Sequence, residues 1–417
     1  MSTVTVWHPT GIVNGTVTLP TSKSISNRVL LLNAVSGGKT VLQNLSDATD
    51  TVLMQTALKH HQGTIDLQNA GTCYRFLTAY YAATPNTDVV LLGDDRMQMR
   101  PIKPLVEALR NLGASINYLQ KEGFPPIAIQ GKTLNGGHVR IDASVSSQFV
   151  SALLLSAPLL QSPLHLLLEA GAASLPYLHL TIGLLKQWGY EVSINQQTIT
   201  VYQYTATTPS RFTVEPDWSA AAFWYEVMAL SKGGTIQLNQ LSLQSLQGDK
   251  EIANWMQSAG VVSSPNNKGI LIQQSTLRDA AQTVFNLVNH PDAAPAMAAT
   301  AAGLNLPWSL TGLQNLAVKE SNRVVALCKE LGNCGYTLAG LNENSILQIQ
   351  QQVPNKGKSN TETLWSHHDH RIAMALAPLS LVNGALTIRN AEAVSKSYPT
   401  FWDQLTQVGF EVNQFDE

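Results

Sequence analysis

Six times along this chain an amphipathic stretch with Leu or Met in its last turn runs into glycine and then into an alternating, strand-like segment. The glycines are Gly63, Gly113, Gly189, Gly260, Gly335 and Gly409, spaced by 50, 76, 71, 75 and 74 residues. Glycine at these points supplies the left-handed backbone that releases a helix into the next strand. Upstream of each lies a small-residue helix, a turn and a short strand: VLQNLS, VVLLGD, LHLLLE, TIQLNQL, SLTGLQN or ALTIRNA. The unit therefore reads helix, strand, helix, strand. A period of about 70 is too long for the common solenoids, so six such units predict a layered α/β protein of two domains with three units each.

Polar residues without an obvious packing role recur at two places in the unit. At the start of the first helix stand Ser22-Lys23-Ser24 with Arg28, Asn69-Ala70-Gly71-Thr72 with Arg75, Ser146-Ser147-Gln148, Asp217, Asp292, and Asp369-His370-Arg371. At the turn before the second helix stand Asp47 with Asp50, Arg96 with Arg100, Ser174 with Tyr177, Asp249, Lys319-Glu320 with Arg323, and Lys396. Capping alone accounts for Ser146, Asp217 or Asp249. It does not account for so many Lys and Arg beside helix starts, where unpaired N–H groups already favour anions. The pattern predicts an anion-binding cleft between the two halves.

Composition narrows the anion. With 26 Lys and Arg against 28 Asp and Glu the chain is near neutral, which argues against nucleic acid or a polybasic membrane clamp and for a small ligand. The most apolar stretch, 149–173, is interrupted by Pro158, Gln161, Pro163, His165 and Glu169 and reads as core. The first residues lack a secretion signal, and three unpaired cysteines fit a reducing cytoplasm. No P-loop, dinucleotide fingerprint or hydrolase elbow occurs, and His367, His368 and His370 have no second ligand cluster, so no metal is expected.

The residues resemble a known family, the 5-enolpyruvylshikimate-3-phosphate synthases, almost end to end. The resemblance rests on LPTSKSISNR (Leu19–Arg28), NAGTCYR (Asn69–Arg75), GDDRMQMRPI (Gly93–Ile102), SSQF (Ser146–Phe149), SLPY (Ser174–Tyr177), LQGD (Leu246–Asp249), PDAAP (Pro291–Pro295), VKESNR (Val318–Arg323), DHRIAMA (Asp369–Ala375) and SKSYP (Ser395–Pro399). It implies two pseudo-threefold α/β domains, each of three βαβαββ units in an inside-out barrel, hinged around a central cleft. Their expected extents are 21–214, and 1–20 with 215–417.

The implied reaction moves the enolpyruvyl group of phosphoenolpyruvate to the 5-hydroxyl of shikimate 3-phosphate through a tetrahedral ketal, without cofactor, in aromatic amino-acid biosynthesis. By resemblance, Ser146, Ser147, Ser174 and Lys319 hold the 3-phosphate. Ser24, Arg28, Gln148, Tyr177, Asp292 and Asn315 hold the shikimate ring, hydroxyls and carboxylate. Lys23, Gly71, Arg96, Arg323, Arg371 and Lys396 match the phosphoenolpyruvate positions, with Asn69 shaping the turn at Gly71; Lys23 and Gln148 serve both substrates. Asp292 is the expected base, Glu320 the expected acid, and Lys23 the cation that assists departing phosphate. Gly71 is expected to leave room for a bulky mimic, hence sensitivity to glyphosate.

The chain departs from the family pattern at Thr21, at Ser321-Asn322 and at Cys73-Tyr74. A sister transferase acting on UDP-N-acetylglucosamine shares the architecture, but its loop cysteine is missing before Met99-Arg100-Pro101. A phosphate-ester binding module would not need the carboxylates Asp292 and Glu320. A cytoplasmic monomer that binds neither nucleic acid nor membrane is expected.

Overall fold

A computed structural model describes residues 2–142, 146–169, 175–202, 207–275, 282–343, 345–350 and 363–416. The chain divides into two compact units, an inserted one of Thr21–Val214 and a split one of Met1–Pro20 with Glu215–Glu417.

The split unit contains three four-stranded sheets of one design. In the first, Val13–Val17 pairs parallel with Gly234–Asn239, which pairs antiparallel with Gly269–Gln274, which pairs antiparallel with Val261–Asn266. Thr283–Asn286, Trp308–Thr311, Ile346–Gln350 and Thr337–Leu341 repeat that order. So do Leu364–Trp365, Leu386–Arg389, Ser2–Trp7 and Glu411–Asp416, with the strand Ser2–Trp7 lying between two strands from the other end of the chain. A parallel pair needs a crossover helix; in the first two sheets a hairpin then follows, giving a βαβαββ order, whereas in the third the place of the hairpin is taken by Glu411–Asp416 pairing with Ser2–Trp7 from the other end of the chain.

The inserted unit has two sheets of this design: Gln62–Asp66, Asp88–Leu92, Ile127–Gln130 and Ser115–Tyr118, then Gly137–Ile141, Leu164–Leu168, Thr198–Val201 and Val192–Asn195. Among the described residues, its third place holds only the parallel pair Val41–Gln43 and Arg211–Thr213. After helix Thr49–Ala57 the chain enters the next sheet directly at Gln62–Asp66, with no hairpin between. That missing hairpin accounts for the short first spacing of 50.

All six punctuating glycines have φ between +82° and +103°. Five stand just past a helical segment, where the next residue's N–H donates to the carbonyl five positions back, as Tyr190 does to Leu185 at 3.0 Å and Phe410 to Leu405 at 3.1 Å. Gly63 differs: its helix ends at Ala57, and the glycine lies inside a strand.

Each unit wraps its sheets around buried helices. In the split unit, helices Trp218–Leu230 and His370–Leu376 are buried at every residue and Ala294–Gly303 at all but its last. Helices enclosed on all sides must be apolar all round, as AAAFWY and APAMAATAA are. In the inserted unit Gly71–Ala83 and Ser147–Ser156 play that part. The apolar stretch that begins at Phe149 becomes this buried helix and the strand Leu164–Leu168. Among the described residues no helix is long and apolar enough to cross a membrane.

Candidate active site

In the inserted unit, helix Lys23–Val35 starts on Ser22, whose Oγ accepts the Ile25 N–H at 3.4 Å. Lys23 Nζ lies 3.1 Å from Asp50 Oδ2, in the first turn of helix Thr49–Ala57. Arg28 is buried among neutral groups: Nη1 donates to the Ser24 carbonyl at 2.8 Å, Nε to Thr181 Oγ1 at 2.8 Å and Nη2 to the Tyr177 carbonyl at 3.4 Å. Its guanidinium also stands 5.3 Å from the Phe76 ring centre. Burial lowers the Arg28 pKa to about 10. A buried cation whose hydrogen bonds go to neutral acceptors is a position that a ligand carboxylate would stabilise.

Two further helix starts meet nearby in the same unit. Gln148 Nε2 donates to Thr72 Oγ1 at 3.1 Å, while Arg75 Nη1 donates to Gln148 Oε1 at 3.0 Å and to the Gly71 carbonyl at 2.9 Å. Arg100 Nη1 donates to Asn69 Oδ1 at 3.3 Å. Ser146 caps helix Ser147–Ser156, accepting the Gln148 N–H at 3.2 Å, and Ser147 is buried in its first turn. Half-buried Arg96 follows the cap Asp94 on the short helix Asp95–Gln98. Ser174 lies outside the described residues.

Gly71 is approached closely by two side chains. A Cβ there would come within 2.6 Å of both Arg75 Nη1 and Arg100 Nη1. The room that glycine leaves is taken by two guanidinium groups.

In the split unit one side chain gathers the candidates. Arg323, 1% exposed, donates from Nη1 to Asp292 Oδ1 at 2.8 Å, from Nη2 to Glu320 Oε2 at 2.9 Å and from Nε to Asp369 Oδ2 at 2.8 Å. Arg371 Nη2 donates to the other Asp292 oxygen at 3.0 Å, and Lys396 Nζ lies 3.6 Å from Glu320 Oε1. Asp369 caps helix His370–Leu376 by accepting the Arg371 N–H at 3.0 Å. The unusual pair at 321–322 serves this cluster: Ser321 Oγ donates to Asp369 at 3.0 Å, and Asn322 caps helix Arg323–Asn333. Asn315 sits in the 3-10 turn Gln314–Val318, immediately before Lys319.

Charge sets the protonation states. Burial alone would lower the Arg323 pKa, but Asp369, Glu320 and Asp292 outweigh it, so Arg323 is held more firmly cationic than usual. Burial alone would raise Asp292; Arg371, Lys319 and Arg323 outweigh it, against Glu320, and hold this carboxyl well below the ordinary range. The arrangement is a knot of carboxylates and cations that can exchange partners with an incoming anion.

A model of the family described as EPSP synthase (3-phosphoshikimate 1-carboxyvinyltransferase) matches residues 8–65 and 60–405. The chain belongs to the EPSP synthase family. It is 39% identical over 406 residues to the 3-phosphoshikimate 1-carboxyvinyltransferase of Bacteroides fragilis, covering 97% of this chain and 98% of that one. To the enzyme of that name from an Escherichia coli strain it is 34% identical over 430 residues, covering 96% and 98%. The fold is similar to an EPSP synthase structure from Acinetobacter baumannii, with TM-score 0.79, 22% identity and 100% of both chains covered. It is also similar to the enolpyruvyl transferase NikO from Streptomyces tendae, with TM-score 0.73, 13% identity and 99% of both chains covered. Membership of this family sets aside the UDP-N-acetylglucosamine alternative.

Asp369, Asp50, Arg75 and Arg100 stood at the recurring helix starts, but the string gave none of them a role in the site. Thr181 and Ser151, which line the Arg28 guanidinium, carry no sequence signal at all.

Proposed function

We propose that the chain is a 3-phosphoshikimate 1-carboxyvinyltransferase of the shikimate pathway, converting phosphoenolpyruvate and shikimate 3-phosphate by addition and elimination, in the cytoplasm and as a monomer. The observation that carries the chemistry is that one guanidinium, Arg323, holds both Asp292 and Glu320. A base and an acid thereby stand at adjacent nitrogens of one rigid fork.

In this reading Asp292 takes the proton of the 5-hydroxyl as its oxygen attacks C2 of phosphoenolpyruvate, and Glu320 delivers a proton to the methylene carbon. The resulting ketal loses that proton back to Glu320 as the C2–O bond to phosphate breaks, with Lys23 offsetting the charge on the departing group. With Arg323 and Arg371 both bonded to it, Asp292 is a weak base. Once the phosphoenolpyruvate anion draws on those same guanidinium donors, Asp292 loses part of its stabilisation and becomes a stronger one. Binding would thus arm the base.

For the substrates we assign Ser146, Ser147, Ser174 and Lys319 to the 3-phosphate, and Ser24, Arg28, Gln148, Tyr177, Asp292 and Asn315 to the shikimate body. Lys23, Asn69, Gly71, Arg96, Gln148, Arg323, Arg371 and Lys396 go to phosphoenolpyruvate. Crowding at Gly71 supports its place here. Gly71→Ala should push the Arg75 and Arg100 guanidinium groups aside by about an ångström, a misplacement that can cost on the order of 10²-fold. We expect a KM for phosphoenolpyruvate raised at least about 10-fold with the melting temperature little changed. An unchanged KM would remove Gly71 from the site.

Phosphate release, followed with both substrates and with each omitted, tests the reaction. Phosphate is expected only when both are present, and none when UDP-N-acetylglucosamine replaces shikimate 3-phosphate. Millimolar glyphosate should compete with phosphoenolpyruvate, here because cations rather than empty volume would receive it. A Glu320→Ala variant with full turnover would remove the acid assignment.

A further inference from the structure

Two residues upstream of Asp369 the backbone does something unusual. His367 and His368 are both left-handed, each at φ +56°. Consecutive side chains larger than Asn or Gly rarely adopt that conformation and need surrounding structure to hold it. Here the holder is Glu330, 1% exposed in helix Arg323–Asn333. Its Oε1 lies 2.7 Å from His367 Nε2, and its Oε2 accepts the Trp365 N–H at 3.1 Å and Asn333 Nδ2 at 3.2 Å. The Trp365 and His367 rings lie 4.2 Å apart between centres, tilted by 34°, and Lys329 Nζ stands 5.9 Å from the Trp365 ring centre.

The same helix begins with Arg323, so helix and turn are joined twice: by Arg323 to Asp369, and by Glu330 to His367 seven residues on, about 10 Å along the axis. Immediately before His367, Ser366 Oγ donates to Asn390 Oδ1 at 2.9 Å, and Asn390 precedes the 3-10 turn that ends at Lys396. Two ties fix a direction where one fixes only a point.

We propose that Glu330 and His367 are positioning residues that hold turn 365–369 strained, so that Asp369 aims Arg323 and Arg371 at the anionic substrate. This rests on the reading of those arginines as the phosphoenolpyruvate site. Neither residue touches the reacting groups; their effect runs through Asp369.

The test is steady-state kinetics on the full-length enzyme. Glu330→Ala is expected to raise KM for phosphoenolpyruvate roughly 5- to 30-fold while KM for shikimate 3-phosphate moves less than about threefold. Glu330→Gln keeps an oxygen to accept the Trp365 N–H, and its amide N–H can donate to His367 Nε2 in the tautomer protonated at Nδ1, so KM should return to within about twofold of wild type. Should Glu330→Ala fail to fold, His367→Gly breaks the same pair at a position where glycine takes the left-handed backbone freely, and the same KM split is expected. The proposal is overturned if folded Glu330→Ala or His367→Gly leaves both KM values unchanged or moves them equally. Wild-type turnover is the control: its absence would fail the functional reading, whereas normal wild-type turnover with an unmoved KM in the variants fails this inference alone.

Discussion

Arg323→Lys is expected to lose at least about three orders of magnitude in kcat/KM, a loss of ~4 kcal/mol in transition-state stabilisation. The residue keeps its charge, so the loss isolates geometry. A guanidinium reaches Asp292, Glu320 and Asp369 at once because its donors form a planar fork; an ammonium is a single centre that can serve one or two of them. Glu320 would retain Lys396, Asp292 would retain Arg371, and Asp369 would retain the Arg371 N–H and Ser321 Oγ. The Glu320 and Asp292 carboxyl groups would therefore each keep a cationic partner but would no longer be held on adjacent nitrogens. Removing one partner of a buried pair typically costs about 3–5 kcal/mol. Asp369, wholly buried, is the carboxylate that would pay it, so a lowered melting temperature should accompany the kinetic loss. Arg323→Lys retaining a tenth or more of wild-type kcat/KM would show that the fork does not organise the site.

How far the string foretold this cluster depends on the kind of interaction. The glycine spacing exposed the six-unit plan because a left-handed helix stop is a local requirement, set by a residue and its immediate neighbours. Helix starts were legible for the same reason: Ser22, Ser146, Asp217 and Asp369 all cap the helices they precede. The short first spacing was visible as a number, but its cause was not, since a missing hairpin shows only once strands find partners. The knot at Arg323 joins residues 31 and 46 positions away, at Asp292 and Asp369, and no periodicity encodes such pairings. Resemblance named Arg323, Asp292 and Glu320; it did not show that Asp369 joins them. Nor could the string show what lies against Gly71: two guanidinium groups reach it, from Arg75, one turn along the helix, and from Arg100, beyond the next strand. Glu330 belongs to no motif in the string, and only the fold buries it.

Glu226→Met is expected to stabilise the protein increasingly as pH rises from 5 to 8. Glu226 lies in helix Trp218–Leu230, 0% exposed, and neither carboxyl oxygen has a hydrogen-bond partner among the described residues. Burial raises its pKa well above the ordinary 4.5. The folded chain therefore keeps a proton that the unfolded chain releases, and the sign follows. Below the unfolded value both states are protonated and the group contributes no pH dependence. Above it the unfolded state binds fewer protons than the folded one, so stability falls by about 1.36 kcal/mol per pH unit until the folded pKa is passed. Methionine has similar length, fits an apolar surround and cannot titrate. The gap in unfolding free energy between variant and wild type should widen by up to about 4 kcal/mol between pH 5 and 8, read from denaturant titrations at each pH. A gap that stays constant across that range would mean the carboxyl titrates alike in folded and unfolded chains, and the burial argument for Glu226 would be wrong.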